Sequence, residues 1–533
     1  MRLITNGIAL AVAVTAITAA PTAVAQTPFH DVAEPDERST LDEIIATISR
    51  ASTFGESTSE AELAEVRSQL DSVLLDLPRP TRLRGMVQML RAGFREGHDD
   101  AAAGRAYEEA IRLLPDDPRP KLMAAHFYTF SGAPTRAADL LSSAIEQAPT
   151  DVVAYPEYEL NALMGNLTDI GDTDRRDRLY ARFAEIGYVW STADLRSSAA
   201  MALVRASIAK GQPEIASRHF GEIGGSEFRL LYIDRRYETI WPAMSKWAEP
   251  DLSRQHRLYL ESLRSDWQAT QSMVAANSYA RVLNEAQAYQ DVIDLFHDRL
   301  NGDGPLPESA ELLVAPVARA LLSTGRPAEA VTLMENSLAR ATGPTANIQK
   351  LNIDANLVSI HSEAGNAAEA VQVADRWFRT VEPMGSQINL SAIAGVSANL
   401  ACAMLAADPQ ADVAALARRI VATRDAMPAP AYQLYACQGD VASGRALVTR
   451  ALANETTRPW ALRQLQPNHQ VQHTREAKIM AGFRAAMVAD PALVASAEAV
   501  GRILPSPVGE NLPDGFDPLA PSTMPSPVAS PTT

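Results

Sequence analysis

Two cysteines in 533 residues cannot staple a small scaffold, fold a zinc-finger array or hold a thiolate-ligated iron–sulfur centre. Positive charge is scarce: 48 Lys and Arg face 64 Asp and Glu, a formal net charge of −16, which argues against a broad basic surface for nucleic acid or anionic lipid. Aromatics make up 6% of the chain, a level suited to helices packed closely on small side chains. Beyond the N-terminus no stretch is read as 18 uncharged apolar residues, so no integral membrane segment is expected in a mature chain. Chemical motifs are missing as well: there is no HExxH metal pair, no Gly-rich phosphate loop ending in Lys-Ser/Thr, no GxSxG elbow and no CxxC. Accordingly no catalytic residue, cofactor or metal site is expected, and nucleic acid is not an expected partner.

The first 26 residues carry an export pattern. Arg2 provides a positive start, Gly7 to Ala20 is a run of apolar and small residues, and Ala23-Val24-Ala25 is a small-x-small site before Gln26. Residues 1–25 are expected to be a signal peptide cleaved after Ala25, delivering the protein to the periplasm or outside the cell. No cysteine lies near that site to carry a lipid. The polar residues 26–39 are expected to be a flexible lead-in.

Residues 40–504 read as helix almost throughout. Alanine is abundant, apolar residues recur at spacings of three and four, and the breaks are short and contain Gly, Pro or Asp. The chain also repeats itself. AAAGRAYEEAIRLLPDDP (101–118) returns as TRAADLLSSAIEQAPTD (135–151) at an offset of 34 residues. Under that offset Phe94 matches Tyr128, Ala103 matches Ala137, Tyr107 matches Leu141, Ala110 matches Ala144 and Pro115 matches Pro149. Looser units begin at Gly211, at Gly325 with Ala330, at Gly365 with Ala370, and at Gly439.

These residues give the chain its likeness: it resembles the tetratricopeptide repeat family, whose unit is a 34-residue pair of antiparallel helices. The resemblance implies small residues where paired helices touch (Ala103, Ala110, Ala137, Ala144), large ones filling the space to the next unit (Tyr107, Leu141), and prolines that end the second helix because they lack an N–H. It also implies an all-α fold of stacked antiparallel hairpins in a superhelix, an α-solenoid, with Lys121, Ala125 and Tyr128 facing its groove. Trp377 stands where the family usually has a small residue and is expected inside a repeat junction.

Gly and Pro in 299–309 suggest a boundary between an N-terminal array, 40–300, and a C-terminal array, 301–504. From Pro505 to Thr533, proline, serine and threonine dominate, so 505–533 is expected to be a disordered tail. His469 and His473, with Glu476 beyond, are the nearest approach to a metal set, but no base lies between them and a polar face is the plainer reading. Glu108 and Glu109 are read as surface charge. Cys402 and Cys437, 35 residues apart, are candidates for a disulfide between adjacent hairpins, with two buried thiols as the alternative. Arg235, Arg236, Tyr237 and Trp241 form a candidate partner-binding stripe, with ordinary core as the alternative.

The functional expectation is a non-catalytic periplasmic or secreted interaction scaffold that binds a peptide or protein surface in its superhelical groove. The alternative is a cell-wall-acting hydrolase or lyase with a catalytic carboxylate in the less repetitive region 151–300.

Overall fold

Short polar side chains and prolines set the helix starts. Ser59 accepts from the Glu62 N–H while the Glu62 carboxylate accepts from the Ser59 N–H, a reciprocal cap; Thr81, Asp99 and Asp440 cap in the same sense from one side. Pro134, Pro327 and Pro428 stand in first turns, where a missing N–H costs nothing. At Gly325 and Gly365 the turn needs a left-handed residue (φ 78° and 86°), although a Cβ there would meet no neighbour; the requirement is backbone conformation and not space.

The computed structural model describes Phe29 and residues 32–51, 58–249, 252–343, 346–468, 470–471 and 473–524. The expected signal peptide, 1–25, and the end of the tail, 525–533, lie outside the described residues. Among the described residues the chain is helical with no strand, apart from an isolated antiparallel bridge between Asp234 and Gly501. It divides into two compact units, residues 1–188 and 189–533.

In the first unit the helices are α1 (Arg38–Ala51), α2 (Glu60–Asp76), α3 (Arg82–Gly93), α4 (Asp100–Leu113), α5 (Arg119–Phe130), α6 (Pro134–Gln147), the single turn α7 (Pro149–Val152), α8 (Glu157–Asp169) and α9 (Thr173–Glu185). Helices α3 and α4 pair closely, as do α5 and α6, and α4 packs on α5. The small residues expected at the contacts, Ala103, Ala110, Ala137 and Ala144, are fully buried, as are Tyr107 and Leu141. Phe94 is buried, Tyr128 half-buried, and Pro115 and Pro149 sit exposed after the helices. The lead-in is not free where it is described: Phe29 is buried among Leu41, Ile44 and Leu70, and Arg79 holds Asp36 at 2.6 Å. One aromatic in a polar segment is enough to anchor it.

In the second unit the helices are α10 (Ala193–Ala209), the single turn α11 (Pro213–Ala216), α12 (Gly225–Ile233), α13 (Trp241–Ala248), α14 (Ser253–Thr270), α15 (Met273–Glu285), α16 (Tyr289–Leu300), α17 (Ala310–Ser323), α18 (Pro327–Arg340), α19 (Ala346–Ala364), α20 (Ala367–Val381), α21 (Leu390–Ala407), α22 (Ala414–Val421), α23 (Pro428–Gln438), α24 (Val441–Ala453), α25 (Arg458–Gln464), α26 (Arg475–Val488) and α27 (Pro491–Val500). A row of helices runs α14, α15, α17, α19, α21, α23, α26, each packed on the next, with α16, α18, α20 and α24 filling alternate places beside it. Ala330 and Ala370 are fully buried at these junctions, and Trp377 is buried with its Nε1 donating to the Leu351 carbonyl at 3.1 Å.

Three expectations change here. Residues 299–309 are a loop inside the second unit and not a boundary: Arg340 donates to the Leu300 and Gly304 carbonyls and Leu306 is buried, so one core runs across the Gly-Pro punctuation. The division falls after Tyr188 instead. Second, α21 is long and apolar enough to cross a membrane, with a mean hydropathy of 1.8 and no charge; it packs on α19, α20, α22 and α23, and contact on several sides is what makes a helix apolar all round. Third, α21 and α23 are joined by a Cys402–Cys437 disulfide with Cα atoms 5.4 Å apart, which decides between the two readings of the cysteines.

Candidate functional site

Residues 505–524 form no helix, as their proline content requires, yet they are laid against α14 and α15. Proline removes N–H groups and leaves carbonyls, so such a segment needs donors from its host. The α14–α15 face supplies them. Arg257 donates to the Asp514 carbonyl at 2.5 Å, Arg264 donates to the Asp517 carbonyl, and the Tyr279 hydroxyl donates to the Pro518 carbonyl at 3.1 Å. Gln268 donates to the Ala520 carbonyl at 3.0 Å and accepts from the Ser522 N–H at 2.7 Å, reading the main chain from both sides. Phe516 is buried with the Arg264 guanidinium 4.7 Å from its ring centre. The expectation of disorder across 505–533 is therefore corrected for 505–524: low hydrophobicity prevents self-folding but not docking on a donor-rich face.

Where this segment begins, it closes a polar cavity of about 230 Å³ bounded by α10, α12, α14 and α15. Val508 and Gly509 complete the wall. Asp194 accepts from the Tyr259 hydroxyl at 2.6 Å and the Ser278 hydroxyl at 2.5 Å, and Glu227 accepts from Ser197, whose oxygen in turn accepts from the Gly224 N–H at 2.6 Å. Burial raises the Glu227 carboxyl above the ordinary range, against the Ser197 bond that lowers it. Burial likewise raises Glu285, although Arg281, Arg229 and Arg463 pull it down. Burial, helped by Arg229, pushes His256 down to about 4, so the ring is neutral. Burial also lowers the Arg229 and Arg463 guanidinium groups.

The stripe of Arg235, Arg236, Tyr237 and Trp241 is not brought together as a docking surface. Residues 235–240 form a 3-10 turn, which removes the expected i, i+4 register. Tyr237 is buried, Arg236 grips Asp234, Arg235 donates to the Glu498 carbonyl, and Trp241 donates to the Leu231 carbonyl beneath the Arg502 guanidinium. Of the four, Tyr237 alone is in the core: Arg236 and Trp241 are half-buried and Arg235 is exposed. Ala125 is buried between helices and not in a groove, Lys121 approaches Gln147, and Tyr128 donates to Glu108, which also pairs with Arg136. Glu109 pairs with Arg112.

His469 lies outside the described residues, and His473 meets the Tyr289 ring edge-on. Glu476 turns inward, accepts from Gln433 and is raised to about 7 by burial. Among the described residues no group of three or more His, Cys, Asp or Glu is placed to hold a metal ion.

Sequence reasoning missed two features. One is a buried cluster in the first unit: His126 lies 3.1 Å from Glu159 and 3.9 Å from Glu96, and Glu96 accepts from the Tyr107 hydroxyl. His126 sits at core spacing between Met123 and Phe127, the signal that would have found it. The other is the cavity, whose residues are spread from 194 to 509 and share no local pattern. No protein-family model and no curated protein matches the chain.

Proposed function

We propose that this protein is a non-catalytic scaffold, periplasmic or secreted, that binds peptide segments of partner proteins on the faces of tetratricopeptide-like hairpins stacked into a superhelix. The α14–α15 face supports this reading most directly. It holds an irregular, turn-containing, proline-rich segment by donating to main-chain carbonyls, and that mode of recognition carries over to other peptides poor in N–H groups. The bridged cysteines agree with an oxidising compartment. The test is capture from envelope extract with residues 26–533 and with a chain ending at 504. The shorter chain, its face vacated, is expected to retain the same partner more tightly, and Arg264→Ala with Gln268→Ala in that chain is expected to release it. Capture of cell-wall material and no protein by either chain would overturn the proposal.

A second reading has an observation behind it: Asp194, Glu227 and Glu285 share one cavity within the region where a hydrolase or lyase would place its carboxylate. In that reading Glu227, whose carboxyl burial raises above the ordinary range, is the acid. Cell-wall cleavage abolished in Glu227→Gln would establish it, and absence of any cleavage by the intact protein would remove it.

A further inference from the structure

Residues 513–520 turn back on themselves twice where they meet the helices. The Phe516 N–H donates to the Pro513 carbonyl at 2.9 Å across Asp514 and Gly515, and the Ala520 N–H donates to the Asp517 carbonyl at 3.3 Å across Pro518 and Leu519. Both turns follow from the local sequence. Gly515 takes a left-handed φ of 71° in the first, Pro518 holds the second position of the other, and the Asp517 carboxylate accepts from the Leu519 N–H at 2.9 Å. The turns sort the side chains by face: Pro513, Phe516 and Pro518 are buried, while Asp514, Gly515, Asp517 and Leu519 are exposed.

The helices hold this shape through side chains. Among the described residues no backbone–backbone hydrogen bond joins 505–524 to them. Donors on α14 and α15 reach the carbonyls of Asp514, Asp517, Pro518 and Ala520, and the Ser265 hydroxyl donates to that of Met524 at 2.9 Å. Phe516 joins the apolar cluster that contains Tyr279 and Phe296. The fit is incomplete. Arg264 gives one nitrogen to the Asp517 carbonyl and another to Glu261, but its Nε and the second oxygen of Glu261 are buried without a partner. Buried polar atoms left unanswered weaken a complex, so the segment occupies a face that it does not fully satisfy. A segment shaped by its own sequence, held only by host side chains and imperfectly matched to them, has the properties of an exchangeable ligand.

We propose that the α14–α15 face selects a peptide shape, two successive tight turns that put a proline, an aromatic residue and a second proline on one side, and that residues 513–520 are an internal version of that ligand. The pattern is Pro-x-Gly-aromatic-x-Pro, the spacing of Pro513, Gly515, Phe516 and Pro518. The partner is a protein that carries such a segment; this rests on the reading that the face binds partner peptides and adds which peptides it takes and how access is controlled. Tethered to the same chain, the internal segment competes at an effective concentration on the order of millimolar. It keeps weak ligands off the face and yields to a segment that also answers Arg264 and Glu261.

The experiment uses the chain 26–533, intact and as Phe516→Ala, with a labelled synthetic peptide of residues 508–524 as the probe and fluorescence anisotropy as the readout. Removing the ring loosens the tethered segment, so the peptide is expected to bind the Phe516→Ala chain saturably and about tenfold or more tighter than the intact chain. Peptides carrying Phe516→Ala or Gly515→Ala are expected to bind that chain about fivefold or more weaker, and one carrying Leu519→Ala as well as the parent peptide. Gly515→Ala tests shape alone, because a Cβ there would meet no neighbour and strains only the turn. The intact chain gives a second reading that no substitution in it can disturb: excess Leu519→Ala peptide, distinct in mass, is expected to speed hydrogen exchange of the chain's own residues 514–524. Equal binding to the two chains, a Gly515→Ala peptide that binds like the parent, or unchanged exchange would overturn the inference. A partner captured from extract together with equal binding of all these peptides would remove the shape and keep the scaffold; shape-dependent binding with no captured partner would do the reverse.

Discussion

At the scale of the residue, the buried Glu96–His126–Glu159 cluster controls how the first unit responds to pH. Burial raises Glu96 to about 7, with His126 and the Tyr107 bond pulling the other way. His126 is raised from its usual 6.5 because Glu159 and Glu96 outweigh its burial. Both groups hold protons more tightly folded than unfolded, so folding takes up protons and stability falls as pH rises from about 4.5 through about 7. The first unit is therefore expected to lose about 1–3 kcal/mol between pH 5 and pH 8. All six tryptophans lie in the second unit, at Trp190 and beyond, so their fluorescence does not report this change. Hydrogen exchange of peptides from 119–130, corrected for intrinsic rates, does. Glu96→Gln should flatten the profile; an unchanged slope would mean that the cluster does not titrate in this range. The sequence displayed His126 on an apolar helix face, but Glu96 and Glu159 lie 30 and 33 positions away, and only helix packing makes the three neighbours.

At the scale of the element, hairpin pairing was legible and the partner of each cysteine was not. Ala103, Ala110, Ala137, Ala330 and Ala370 mark contacts that a larger side chain would force apart, and each is fully buried. A spacing of 35 residues favoured two thiols over a bridge, and it is the side-by-side placing of α21 and α23 that brings the cysteines into a disulfide. Closing a loop of that length removes about 3–4 kcal/mol of unfolded-chain entropy. Cys402→Ser with Cys437→Ser is expected to lower the stability of the second unit by about that amount, read by tryptophan fluorescence in urea, and reductant should then have no further effect. Residues 235–241 show the opposite case. Their amphipathic pattern suggested a continuous helix, but Asp234 ties down Arg236 and turns the chain through a 3-10 segment, so Tyr237 enters the core and Trp241 is left half-buried.

At the largest scale, the second unit joins its two ends. The bridge between Asp234 and Gly501, the Arg502 N–H donating to the Ile233 carbonyl at 2.8 Å, and the packing of α12 on α25 bring residues near 233 against residues near 501. Arg502 is the rivet: its guanidinium lies 3.6 Å from the Tyr232 ring centre and 4.0 Å from that of Trp241, and its Nε donates to the Tyr232 carbonyl at 2.6 Å. Arg502→Ala is expected to cost the second unit about 2–3 kcal/mol in urea unfolding, with a change in Trp241 emission; a loss below about 0.5 kcal/mol would mean that the ends are held elsewhere. The sequence by itself determined the helical class, the positions of most helix breaks and the small-residue contacts, because each depends on chemistry within a few residues or one repeat. Tertiary structure alone decided the division after Tyr188, the docking of 505–524 and the arginine-lined cavity. Each of these depends on side chains brought together from distant parts of the chain, and a donor or a charge gives no local sign of the acceptor it will meet.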